Sequence, residues 1–422
     1  MTLGNSNRVA ILIAIVACSL TAAAQERHWI GTWATAAQPS QPTPEKYQNQ
    51  TLRLIVHTST GGKRVRVKLS NTYGDQPLVI GAAHIARRAT DAAIDPASDR
   101  VLQFHGEKST KVAAHSLVTS DPVDLDVPAL SDLAISIFLP DATAATTFHL
   151  AAKQTNYVST ETGDATGEAN FPVAKKIRSW PFLTGVDVEA SAHGASIVAI
   201  GSSLTDGDGT TVDTNHRWTD ILAARLQKAG GRLAELGVLN EGIIGNRLLA
   251  DSPADATPFG ASLGEAGLAR FERDVLSQPG VKYVVIGLGI NDICFPGSLT
   301  PPSAAVTAEQ LIAGYRQLIA RAHKKGIRVI GTTNAGFEDA FLKLPSGTVT
   351  FFTPEKERVR VAVNEWMLKT HEFDGVVDFD KMVRDPSRPT RLLPSLDSGD
   401  HVHPNNAGYE LQANAIPLSL FE

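Results

Sequence analysis

Ser203, Gly245, Asn291 and an Asp400/His403 pair are residue types that together can open an ester. Ser203 stands in Gly201-Ser202-Ser203-Leu204-Thr205-Asp206-Gly207, and Gly245 in Asn240-Glu241-Gly242-Ile243-Ile244-Gly245-Asn246. Asn291 stands in Gly289-Ile290-Asn291-Asp292, and the pair in Asp400-His401-Val402-His403-Pro404-Asn405. A serine hydroxyl next to a base is a nucleophile. A backbone N–H of serine, a glycine N–H and an asparagine amide are three donors for a developing oxyanion. A spacing of three in a turn can bring Asp400 and His403 to one side, so the histidine takes the serine proton while the aspartate steadies the imidazolium. His401 competes with His403 for that role.

Each segment also has a plainer reading by itself. Ser202, Ser203 and Thr205 are all good helix caps. Gly245 fits an ordinary turn, and Asn291-Asp292 fits a turn closing a strand. Asp292 fits loop support better than reaction. Asp397, Asp400, His401 and His403 are crowded enough to suggest a metal, but no His-x-x-x-His or cysteine pair accompanies them. The serine arrangement uses more of the residues, so neither a metal nor another cofactor is expected. A phosphate loop fits poorly, because the Lys-Ser/Thr ending is missing after Gly207. Cys294 reads as a buried small side chain, with no positive neighbour evident to activate it.

The elements that must hold these residues change character near residue 190. Before it the chain reads as short strands: Thr51 to His57, Arg64 to Ser70, Leu78 to Ala86, Ser116 to Thr119 and Leu133 to Leu139. Val158 to Pro172 reads as a long loop. Short strands without helices predict a β-sandwich or jelly roll. From Ser196 onward strands and helices alternate. Strands are expected at Ser196 to Ile200, Leu236 to Leu239, Val281 to Gly287, Ile327 to Thr332 and Gly375 to Phe379. Helices are expected at Arg217 to Ala229, Thr307 to Lys325 and Val361 to Thr370. That alternation predicts a parallel sheet covered on both faces, with functional loops at the carboxyl ends of its strands. The first three segments fall at such ends. Pro404-Asn405 would open the final helix and fix His403 at its edge.

The chain has 422 residues, 43% hydrophobic and 20% charged, with a formal net charge of −5. That length favours two domains, expected at 25–190 and 191–422. Met1 to Ala24 reads as a secretory signal: Arg8, then the apolar run Val9 to Leu20, then Ala22-Ala23-Ala24. Export to the periplasm or beyond is the expectation. Ile15-Val16-Ala17-Cys18 loosely resembles a lipoprotein box, and lipidation of Cys18 would tether the protein to a membrane. Cys18 and Cys294 are the two cysteines, so cleavage at Ala24 leaves no intrachain disulfide. A mildly acidic chain without a basic run has no electrostatic footprint for nucleic acid.

The four segments resemble the four blocks of the SGNH (GDSL) hydrolase superfamily. The resemblance implies a flavodoxin-like α/β domain over about residues 194–422. It also implies Ser203 as nucleophile, Ser203, Gly245 and Asn291 as oxyanion donors, and Asp400 with His403 as the aspartate and histidine of the site. Trp29-Ile30-Gly31-Thr32-Trp33 and Arg64-Val65-Arg66-Val67-Lys68-Leu69-Ser70-Asn71 are similar to a secreted bacterial two-domain subgroup of arylesterases, acylhydrolases and carbohydrate esterases. One departure stands out: the blocks usually carry Asp before the serine, where this chain has Ser202. The expected substrate is a small ester or acylated glycan, with short acyl groups, acetyl esters of carbohydrate, as first choice. Arylesterase or lipase action on simple esters is the alternative within enzymes. A catalytically inactive glycan-binding protein is the alternative of another class.

Overall fold

The structure is a computed structural model and describes residues 28–161, 163–252 and 259–422. The signal-like segment and Cys18 lie outside the described residues.

The N-terminal half is rich in antiparallel strands. In chain order they are β1 (His28–Ala34), β2 (Gln50–His57), β3 (Gly62–Ser70), β4 (Ala82–Thr90), β5 (Asp132–Leu139), β6 (Asn156–Ser159), β7 (Val173–Ile177) and β8 (Leu183–Ala190). One sheet has the order β1-β8-β3, continued by Leu117–Thr119, and a larger one has the order β7-β6-β2-β5-β4, continued by Ala93–Ile94. Alternating apolar residues of both sheets, among them Val65, Val67, Leu69, Leu133, Ile135 and Ile137, enter one shared core. This is the period-two pattern that makes one face of a strand apolar. The expected strand Leu78 to Ala86 is instead two. Leu78–Ile80 pairs with Thr110–Val112, while β4 pairs with β5. The break is at Gly81, where an added Cβ would lie 2.8 Å from the Phe138 ring, so only a residue without a side chain passes there.

The C-terminal half is α/β. Its strands are β9 (Ala195–Gly201), β10 (Leu236–Gly242), β11 (Val281–Gly287), β12 (Arg328–Thr332) and β13 (Gly375–Val377). They form a parallel sheet in the order β10-β9-β11-β12-β13. This is the 2-1-3-4-5 order of flavodoxin-like sheets, whose ligands bind beyond the carboxyl ends of the strands at the switch point. Here the switch lies at β9, the strand that leads to Ser203. Val198, Ile200, Val284 and Ile286 face one layer of helices, and Ile197, Ala199, Tyr283 and Val285 face the other.

The expected helices are present as α2 (Trp218–Ala229), α4 (Ala308–His323) and α5 (Pro354–Lys369), between the short α1 (Ser203–Asp206) and α3 (Ile290–Cys294) and the late α6 (Asn406–Asn414). Helix α5 begins seven residues before the expected Val361. Thr353 caps it by accepting from Lys356 N–H, and Pro354 occupies its first position, where a missing N–H costs nothing.

The two halves pack closely. An added Cβ on Gly237 of β10 would lie 1.9 Å from the carbonyl oxygen of Gly31 in β1. The Gly31 N–H donates to Ser196 Oγ at 3.0 Å, and Ala34 of β1 belongs to the same core as Val198 and Ile200.

Candidate active site

Strand β9 ends at Gly201, and the chain turns at once into α1. Ser203 is the first residue of that helix, so its N–H has no partner within the helix. Helix α1 is held from two sides. Asn240 Nδ2 donates to Thr205 O at 2.6 Å, and Ile244 N–H donates to Asp206 Oδ2 at 3.2 Å. Gly242 is the close approach that allows this, since a Cβ there would lie 2.3 Å from Asp206 N.

The histidine arrives from the other end of the chain. His403 Nε2 lies 2.8 Å from Ser203 Oγ, and His403 Nδ1 lies 2.5 Å from Asp400 Oδ2. Asp400 Oδ1 accepts the backbone N–H groups of Val402 at 3.0 Å and His403 at 2.9 Å. The three-residue turn thus carries its own aspartate, and Asn405 starts α6 just behind it by capping Gly408 N–H. Burial opposes the charge on Asp400. The hydrogen bond and charge of His403, with the two backbone donors, outweigh it and hold the carboxyl well below the usual range. Burial also opposes the charge on His403, but Asp400 and Asp208 outweigh it and raise the imidazole above its ordinary value.

His401 points elsewhere. Its Nδ1 lies 2.5 Å from Asp397 Oδ2, and its ring meets Phe341 edge-on. The four residues that crowd together in the sequence therefore separate into two His/Asp pairs. Among the described residues no cluster of three or more His, Cys, Asp or Glu is arranged to hold a metal ion.

Gly245 has φ of +73°, a left-handed conformation that favours glycine, and its N–H makes no hydrogen bond among the described residues. Asn291 lies in α3 rather than in a turn. One of its amide hydrogens goes to Asn246 O at 2.9 Å, and an amide has a second to give. Ser203, Gly245, Asn291, Asp400 and His403 all line one cavity of about 250 Å3. Most of its remaining wall is apolar, including Leu204, Ile244, Phe295, Phe341, Phe351 and Val402.

Asp292 supports the loop after β10, accepting Leu248 N–H at 2.7 Å and Leu249 N–H at 2.9 Å, and burial pushes it up to about 6. Cys294 is buried, and burial pushes its thiol up to about 12, so it stays an unreactive thiol. Ser202 is fully buried, and its hydroxyl has no partner among the described residues.

Sequence reasoning missed four residues around this site. Arg270 is fully buried. It reaches Gly201 O at 3.0 Å, Glu241 O at 2.8 Å and Asn246 Oδ1 at 3.0 Å, tying the first two segments together. His149 meets Asp206 at 3.0 Å. Asp208 lies 4.0 Å from His403 Nδ1 and 2.5 Å from Lys153 Nζ. Arg270 falls outside every quoted segment, and His149 and Lys153 come from the β-rich half, so spacing in the chain gave no signal. Asp208 was adjacent to the first segment and could have been flagged as a second carboxylate.

Residues 197–416 match the family model described as GDSL-like Lipase/Acylhydrolase. The chain belongs to this family. Its members are hydrolases, and the chain is similar in structure to several solved proteins. A variant of an acetyl xylan esterase from Geobacillus stearothermophilus is 21% identical, with a TM-score of 0.37, covering 53% of this chain and 93% of that one. A GDSL-like lipase from Bacteroides thetaiotaomicron is 19% identical, with a TM-score of 0.31, covering 54% and 87%. An alpha/beta hydrolase enzyme from the metagenome of Lake Arreo, Spain, is 21% identical, with a TM-score of 0.37, covering 53% and 93%. No curated protein matches the chain.

Proposed function

We propose that the protein is a serine carboxylic ester hydrolase acting through an acyl-enzyme. The observation that carries this is the unbroken line Ser203 Oγ–His403 Nε2 at 2.8 Å and His403 Nδ1–Asp400 Oδ2 at 2.5 Å, opening on a cavity. Ser203 Oγ attacks the ester carbonyl as His403 Nε2 takes its proton. The oxyanion is received by the N–H groups of Ser203 and Gly245 and the free amide hydrogen of Asn291. The carbonyl re-forms, the alkoxide leaves with the proton from His403, and water repeats the cycle on the acyl-enzyme.

The cavity supports an ester with an apolar acyl or aryl group. An apolar cavity of roughly 150 Å3 is enough to admit benzene, and this one is about 250 Å3. An acetyl group would leave much of that wall without a partner. The reading as an arylesterase or lipase on simple esters is therefore preferred over acetyl esters of carbohydrate. The filled roles of nucleophile, base and orienting aspartate also favour an enzyme over an inactive glycan-binding protein. A p-nitrophenyl ester series tests the acyl preference. A rise in kcat/KM from acetyl to longer acyl groups supports it, and activity confined to acetyl returns the reading to short-chain esters.

We further propose two domains, 25–190 and 191–422, with the first packed on the catalytic sheet, and export through the signal-like segment Met1 to Ala24. Among the described residues no helix is long and apolar enough to cross a membrane. Lipidation of Cys18 would attach the protein to a membrane, and mass spectrometry of the mature N-terminus would detect it.

A further inference from the structure

The segment His149 to Thr155 of the β-rich half lies against the active site. His149 meets Asp206, and Leu150 lines the catalytic cavity. The rest of the segment is fastened to the chain that follows α1. Arg217 donates to Ala152 O, and Asp213 N–H donates to Lys153 O at 3.0 Å. Asp213 Oδ1 accepts from Gln154 Nε2 at 2.8 Å and from Thr155 N–H at 2.5 Å. Lys153 itself has φ of +49°, a left-handed backbone that few residues with a side chain adopt. Such strain persists only where the surroundings impose it, and it gathers at functional sites. From this position the Lys153 ammonium lies 2.5 Å from Asp208 Oδ1.

Asp208 links that cation to the catalytic base. Its Oδ1 accepts Gly209 N–H at 3.1 Å as well as Lys153, while its Oδ2 lies 4.0 Å from His403 Nδ1. The Asp208 backbone is fixed too: its N–H donates to Ser203 O at 2.9 Å, and its carbonyl accepts the Tyr409 hydroxyl at 2.7 Å. His403 Nδ1 therefore faces two carboxylates, Asp400 at 2.5 Å and Asp208 at 4.0 Å. The neighbouring carboxylates Asp206 and Asp397 are taken by His149 and His401, and Arg217 Nε donates to Asp206 O at 2.7 Å. Two bare carboxylates beside one imidazole favour the imidazolium, which cannot take the Ser203 proton. A cation on one of them weakens that pull. We propose that Lys153 is a positioning residue of the β-rich half that holds and shields Asp208, and so sets the pH at which His403 becomes a base. The inference rests on the esterase reading above and adds the residue through which the β-rich half acts on its chemistry.

The test follows the His403 imidazole by NMR titration, and kcat/KM for p-nitrophenyl butyrate over the same pH range. The His403 signal is identified by its loss in His403→Ala. Lys153→Met should move both midpoints to higher pH. Lys153→Arg keeps the cation and should hold them at the wild-type position. In the Asp208→Asn background, Lys153→Met should move them much less, because the carboxylate it shields is gone. Thermal melts check that each variant folds, and Lys153→Gln takes the place of Lys153→Met if that variant does not. A loss of kcat at every pH with unmoved midpoints would reveal a structural role alone and overturn the proposal. An equal shift in both backgrounds would also overturn it, since Lys153 would then not act through Asp208. Failure of the folded wild-type protein to hydrolyse esters would instead sink the esterase reading, while the NMR midpoints would still decide whether Lys153 acts on His403 through Asp208.

Discussion

His149 Nε2 lies 3.0 Å from Asp206 Oδ1, and both side chains are buried. The other ring nitrogen, Nδ1, lies 3.0 Å from the carbonyl oxygen of Ala36. A carbonyl only accepts, so Nδ1 is the donor to Ala36, while Nε2 faces the carboxylate. The β-rich half thus grips the short helix that begins with Ser203. Breaking such a buried pair leaves Asp206 without its partner and costs about 3–5 kcal/mol. His149→Phe should lower the melting temperature clearly and reduce kcat. A variant with wild-type melting and wild-type turnover would show that this contact does not brace the nucleophile helix.

A second carboxylate faces the catalytic histidine. Asp208 is 4.0 Å from His403 Nδ1, the same ring nitrogen that is hydrogen-bonded to Asp400. His403 must be neutral to take the Ser203 proton, and its folded value is raised from 6.5. The kcat/KM profile should therefore rise with pH along a limb whose midpoint lies above 6.5. Asp208→Asn removes one of the charges that favour the imidazolium, so it should move this limb to lower pH. An unmoved limb would mean that Asp208 does not act on His403.

His403 and Asp400 make contributions to stability with opposite pH dependence. His403 has a raised folded value, so its contribution is fully present below 6.5 and is lost as pH rises through the folded value. Asp400 has a depressed folded value, so its contribution is present above 3.8 and is lost as pH falls through the folded value. Activity should thus increase with pH over the range in which the stabilisation from His403 fades. Thermal melts of wild-type protein and His403→Ala, compared across this range, should converge at high pH. A difference that widens with pH would contradict the sign.

Arg270 is the buried link between the segments that carry the oxyanion donors. It holds Gly201 O, Glu241 O and Asn246 Oδ1, and Asn246 O in turn holds the amide of Asn291. Arg270→Lys keeps a positive charge beside Asp274 but cannot span three acceptors. Displacement of the donors by about 1 Å should lower kcat by up to about a hundredfold, with a smaller change in KM. A change confined to KM, or no change in a folded variant, would show that Arg270 does not position the donors.

Much of the catalytic half was legible because strand and helix periodicity are local. Val281–Gly287 was placed to the residue, and the Trp218–Ala229 helix to within one. The cap at Asn405 and the Asp400/His403 turn were legible for the same reason: both are built within a few residues. The split at Gly81 was not, because the Phe138 ring that requires it comes from a distant strand. The hairpin Phe341–Leu344 with Gly347–Thr350, which contributes Phe341 and Leu342 to the cavity wall, was also missed. That wall is assembled from several loops, so its apolar character could not be read from any one segment.

The central claim is that Ser203 forms the acyl-enzyme with His403 as base. The most direct measurement is turnover of a p-nitrophenyl butyrate substrate by wild-type protein, Ser203→Ala and His403→Ala, with mass spectrometry after fluorophosphonate treatment. The account predicts one phosphonyl adduct on Ser203 in the wild type, none in Ser203→Ala, and a loss of at least about a thousandfold in each variant. Near-wild-type turnover in either variant, or labelling that leaves Ser203 untouched while abolishing activity, would contradict it.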